Sequence, residues 1–126
     1  MKFVCLGYYD ERQFATMSES EQEATIEKCI AFDRELLGKG HFLGGMALQA
    51  ADTATTVRWR NGKASLTDGP FTETKEILGG VLILEARDKE EALGIMSRHP
   101  GIRVGPFEVR PMDVDFMAKH PVLKDQ

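Results

Sequence analysis

A carboxylate at a strand end, a histidine before a proline and a carboxylate among apolar helix positions are the side chains here with an evident chemical use. Asp68 opens the run Asp68-Gly69-Pro70-Phe71, and it reads two ways. Its carboxylate closes an Asx turn by accepting a backbone N–H two residues on, while Gly69 takes a positive φ. Alternatively it faces a cleft as a general base or ligand acceptor. His99 precedes Pro100. It is either a surface histidine at a helix end, where a cation suits the dipole, or an acid–base group, since histidine titrates near neutral pH without perturbation. Asp33 sits on a helical pattern. At about 100° per residue it falls inside the arc of Ile26, Cys29, Ile30, Leu36 and Leu37. An aspartate there either reaches water or Arg34 at the arc's edge, or lines a pocket between helix and sheet. The second position requires partners or a raised pKa.

Weaker candidates surround these. Thr72-Glu73-Thr74-Lys75-Glu76 offers hydroxyls and both signs of charge, so Glu73 and Lys75 are ligand candidates on what is otherwise a solvated turn. Arg58, with Arg60 and Lys63, forms a solvated face or a cradle for an anion, and Arg110 is equally open. No spacing of His, Cys or Asp suits zinc. No nucleophile elbow, phosphate loop or dinucleotide fingerprint is present. The expectation is a site without metal or dedicated cofactor that takes a diffusible small molecule.

The elements that must position these groups follow from pattern. The chain has 126 residues, 42% of them hydrophobic and 29% charged, which suits one folded domain. A net charge of −4 argues against a nucleic-acid or membrane-surface binder. No apolar run nears the roughly 18 residues of a membrane span. The start, MKFVCLGYYDE, lacks a cleavage region and reads as a first strand. Cys5 and Cys29 make no CxxC pair, which points to a reducing cytoplasm.

Residues 10–17 read as a loop. Ser18 and Glu21 then form a capping box for a helix that runs to about Lys39, with Gly38 and Gly40 as its stop. Residues 41–48 read as a strand. Two alternating runs, 55–60 and 63–67, flank Asn61-Gly62, the signature of a hairpin with a type I′ turn. The two-residue loop sets the register, with Arg60 facing Lys63 and Val57 facing Leu66. Thr72–Leu78 is expected to make a helical turn ended by Gly79-Gly80, before a buried strand over 81–86. Asp88 and Glu91 begin a second helix, which Pro100 ends near Arg98. Residues 105–110 are the last strand. The domain is expected over 1–111, with an apolar tail over 112–126 that docks onto a neighbour.

This order is two strand–helix–strand units with an inserted β-hairpin, the pattern of an α+β, ferredoxin-like sandwich. Phe3 and Cys5 point to one side of the first strand; Val4, Leu6 and Tyr8 point to the other. Two helices cover one apolar face, so the second is expected to pack against another copy, giving a homodimer.

The stretch Thr67-Asp68-Gly69-Pro70-Phe71-Thr72-Glu73-Thr74-Lys75-Glu76, followed by Leu78-Gly79-Gly80, closely resembles the signature of the DGPF-domain proteins, a branch of the YCII-related family. Gly44-Gly45, Ala54-Thr55-Thr56-Val57-Arg58 and Glu108-Val109-Arg110-Pro111 extend the resemblance over residues 1–111. It implies a dimeric α/β barrel of ferredoxin-like subunits in a small bacterial cytoplasmic protein. Two functions follow as expectations. One is a cofactor-independent enzyme or small-ligand binder with a cleft near Asp68 and His99, doing acid–base chemistry on a small carbonyl or lactone compound. The other is a non-catalytic regulatory or partner-binding protein, since DGPF genes often lie beside extracytoplasmic-function sigma factors. YCII-type relatives have a suggested His–Asp pair. Their histidine is on the first helix, where this chain has Lys28 or Cys29, and their aspartate precedes a proline where this chain has His99-Pro100. The pair therefore does not carry over intact.

Overall fold

Strand β1 (Lys2–Tyr9) lies inside a four-stranded antiparallel sheet of order β2-β5-β1-β6, where β2 is Phe42–Ala47, β5 Ile77–Glu85 and β6 Phe107–Pro111. That is the strand order of a ferredoxin-like sandwich. The computed structural model describes residues 1–125. Its helices are α1 (Glu11–Ala15), α2 (Glu19–Gly38), α3 (Lys89–Arg98) and α4 (Val114–Lys119). The core is the helix-facing side of the sheet. Phe3, Cys5, Leu82 and Leu84 meet Leu36 of α2 and Ala92, Ile95 and Met96 of α3.

Both long helices begin as their caps dictate. The Ser18 hydroxyl accepts the Glu21 N–H at 3.1 Å and donates to the Glu21 carboxylate at 3.0 Å. Asp88 accepts the Glu91 N–H at 2.9 Å, and Glu91 reaches back to the Arg87 N–H at 2.8 Å. Each such cap stabilises its helix by about 1 kcal/mol.

The hairpin of β3 (Thr55–Arg60) and β4 (Lys63–Asp68) forms its own two-stranded sheet. Asn61 and Gly62 have φ of 51° and 78°, as a type I′ turn requires. Arg60 faces Lys63 and Val57 faces Leu66. The apolar side of the hairpin, Val57, Trp59 and Leu66, is open to solvent, with Trp59 75% exposed.

Three expectations need correction. Residues 10–17 contain α1, because the Asp10 carboxylate caps it through the N–H groups of Arg12 and Gln13. Residues 72–76 form no helix, and β5 starts at Ile77 and runs through Gly79-Gly80. The glycines belong to the ladder, Gly80 opposite Gly7, where strands and side chains approach closely. A Cβ at Gly79 would lie 2.6 Å from the Tyr9 ring. The third correction is the rotation of α2. Ile26, Ile30 and Leu37 stay exposed, and the helix turns Cys29, Phe32, Asp33 and Leu36 inward. Those four also follow the helical i, i+3, i+4, i+7 spacing.

Candidate active site

Asp33 and His99 are 66 residues apart in sequence and in direct contact: Nε2 of His99 is 2.8 Å from Oδ1 of Asp33. Each is placed by a separate element. Asp33 rides on the inward face of α2. His99 ends α3, because Pro100 leaves no N–H to continue the helix, and a turn of 3₁₀ helix over Pro100–Arg103 follows. The Gly101 N–H donates to Nδ1 of His99 at 3.0 Å. A side chain at Gly101 would crowd this ring, since its Cβ would lie 3.1 Å from Nδ1. Phe32 and Phe107 hold the imidazole edge-on from two sides, at centroid distances of 5.1 and 5.2 Å.

This geometry assigns the proton. A backbone N–H only donates, so Nδ1 is an acceptor and the neutral ring carries its hydrogen on Nε2, directed at Asp33. Burial by itself pulls the His99 pKa down. The hydrogen bond with Asp33 and its charge, with Cys29 acting in the same direction, outweigh it and push the value up to about 9. The Gly101 amide pulls back from that value, because a second proton on Nδ1 would face the amide hydrogen.

The pair borders a cavity of about 690 Å³. Its walls include Tyr9, Phe14, Phe42, Leu82, Val104 and Phe107, and its sheet side carries Gly7, Gly45, Gly79 and Gly80 in place of side chains. Cys29 stands one helical turn before Asp33 and lines the same cavity. The side chain of Asp33 is 35% exposed and that of His99 6%. Both ring nitrogens are engaged, so the acceptor left to face the cavity is the second oxygen of Asp33.

The other sequence candidates lie elsewhere. Asp68 ends β4 opposite Thr55, is exposed, and borders neither cavity described here. The expected Asx turn does not form at Asp68, because the residue two positions on is Pro70, which has no N–H. Gly69, at φ 98°, instead donates its N–H to Ala54 at 2.7 Å and accepts the Thr56 hydroxyl at 2.8 Å. Arg58 donates to the Phe71 carbonyl at 3.4 Å. It shares a second cavity, about 980 Å³, with Pro70, Phe71, Thr72, Thr74 and Glu76. Glu73 and Lys75 are exposed. Arg110 pairs with Glu108 at 2.6 Å on the exposed side of β6. Among the described residues no cluster of three or more His, Cys, Asp or Glu has the geometry to hold a metal ion, and no helix is long and apolar enough to cross a membrane.

Sequence reasoning found Asp33 and His99 separately and missed the role of Cys29 as their neighbour. The signal was present: Cys29 and Asp33 are four residues apart and share one helix face.

The sequence profile of the YCII-related domain matches residues 1–114. An uncharacterised protein of Rhizobium meliloti strain 1021 is 32% identical over 117 residues, covering 89% of this chain and 92% of its own. A solved structure of 5-chloro-2-hydroxyhydroquinone dehydrochlorinase from Burkholderia phenoliruptrix AC1100, in complex with 2,5-dihydroxybenzoquinone, superposes with a TM-score of 0.55. It is 16% identical, over 90% of this chain and 94% of that one, so the likeness is one of fold.

Proposed function

The chain belongs to the YCII-related family, and within it we propose a cofactor-independent acid–base enzyme that acts on a small oxygenated ring compound. The observation that carries this reading is the His99–Asp33 contact of 2.8 Å opening on an apolar cavity. A cavity of this size suits a small-molecule ligand. The walls take the ring, and one polar cluster orients its oxygen atoms. Asp33 accepts the proton of a C–H beside a carbonyl, or of a ring hydroxyl, through its free oxygen. His99 is a positioning residue: its Nε2–H fixes the carboxylate, and its own ring is fixed by Gly101 and two phenyl edges. The dehydrochlorinase of similar fold, solved with a dihydroxybenzoquinone, supports ring-sized ligands as the class.

The pair also resolves the departure from the relatives' pattern. Here the carboxylate sits on the first long helix, four or five residues beyond the relatives' histidine position, and His99 stands where the relatives have aspartate.

We further propose that two copies pack through the open sheet face into a dimeric α/β barrel. Val4, Leu6, Val81 and Ile83 lie on that face with Met46, opposite the helix-packed side. Covering them favours association by roughly 25 cal/mol per Å² of apolar area.

Proton abstraction is tested by deuterium wash-in. Cyclohexanone in D₂O should exchange its α hydrogens faster with the protein than without it, read by NMR. Asp33→Asn should slow the exchange by about 10²-fold or more, the lower range for a general base. Wild-type exchange no faster than in buffer refutes the reading.

A further inference from the structure

We propose that Cys29 is a nucleophile of this site, adding its sulfur to ring ligands whose carbonyl is conjugated to a carbon–carbon double bond. This rests on the reading of the cavity as a ring-binding site. Three observations place the thiol there. Cys29 lines the cavity itself. It lies four residues before Asp33 on the inward face of α2, so sulfur and carboxylate address the same space. It is also partly accessible, whereas Cys5 is fully enclosed in the core and burial pushes its thiol up to about 11.

Asp33 and His99 need no thiol beside them to move a proton. A thiol and a carboxylate one helical turn apart on one cavity wall supply a nucleophile and a proton acceptor. Sulfur is soft and polarizable and adds at the conjugated carbon rather than at the carbonyl. The step balances without a co-reactant. The S–C bond forms at the carbon β to the carbonyl, and the double-bond pair moves to the carbonyl oxygen as an enolate. The proton leaving sulfur is carried by Asp33 to the α carbon. The product is a thioether with no net oxidation or reduction.

The test uses 2-cyclohexenone as electrophile and resorcinol as a ring of similar size that cannot accept a thiol. Intact-mass and peptide mass spectrometry should show one equivalent added, on Cys29 and not on Cys5. Cyclohexenone should label Cys29 at least about 10-fold faster than it labels glutathione at the same pH, because the bound ring is held against the sulfur. Resorcinol, whose binding is measured by calorimetry, should slow the labelling. Cys29→Ser should abolish it. If resorcinol binds but Cys29 reacts no faster than glutathione, the nucleophile is overturned and the ring site stands. If resorcinol neither binds nor protects, both fail together.

Discussion

His99 has two nitrogens and neither is idle, which decides how this residue responds to pH. The Asp33 carboxylate holds the proton on the folded ring more tightly than water does, up to about 9 against an ordinary value of about 6.5. A raised folded pKa contributes stability that is full below about 6.5 and is lost as the pH climbs towards about 9. Asp33→Asn removes the largest contribution favouring the charged ring and leaves burial and the Gly101 amide against it, opposed only by the smaller contribution of Cys29. The His99 titration, followed by NMR of the ring protons, should then fall well below about 9, and the loss of stability between about 6.5 and about 9 should shrink or vanish. An unchanged midpoint would show that Asp33 does not govern the ring. At this scale the sequence was half legible. The helical wheel placed Asp33 among apolar neighbours, which demanded a partner. It could not supply His99, because contact across 66 residues depends on how α2 and the end of α3 dock. The Asx turn at Asp68 was misread because Pro70 removes its donor.

Local elements were the more readable level wherever one short-range rule acted alone. Asn61-Gly62 specified a two-residue turn, and the turn specified every pair of the hairpin. The same rule gives a test. Gly62 sits at φ 78°, so Gly62→Val should lower stability by about 1 kcal/mol or more in a thermal melt, with no loss of the His99–Asp33 pair. Asp68→Ala in the same melt should stay within about 0.5 kcal/mol, since its side chain is exposed and closes no Asx turn. A larger cost would reveal an unrecognised contact of that carboxylate. Where several rules compete, the pattern misled. Gly79-Gly80 looked like a stop signal and is a strand interior, because tertiary pairing with Gly7 and the approach of Tyr9 outweigh the local propensity of glycine. The rotation of α2 was hidden for a related reason: the helix carries apolar residues on two sides, and only docking selects the side with Cys29 and Asp33.

For the molecule as a whole, the strand order and the single helix-packed face were legible, since element order restricts topology to few solutions. The apolar open face predicts association. Sedimentation velocity should give a dimer at micromolar concentration, burying on the order of 2,000 Å² or more, and Leu6→Lys should shift it towards monomer. A wild-type monomer would remove the barrel from the proposal. The glycines beneath the cavity carry a further consequence. Gly7, Gly45, Gly79 and Gly80 present backbone to whatever rests on them, and backbone already fixed in a sheet has no rotamers to freeze. A ligand lying there avoids the ordering cost of roughly 0.5–1.5 kcal/mol that each immobilised flexible side chain imposes. It also meets a surface that cannot adapt to it. Selectivity therefore falls to the aromatic walls, and a series of related rings should be distinguished by thickness and edge substituents more sharply than by the face they lay on the sheet.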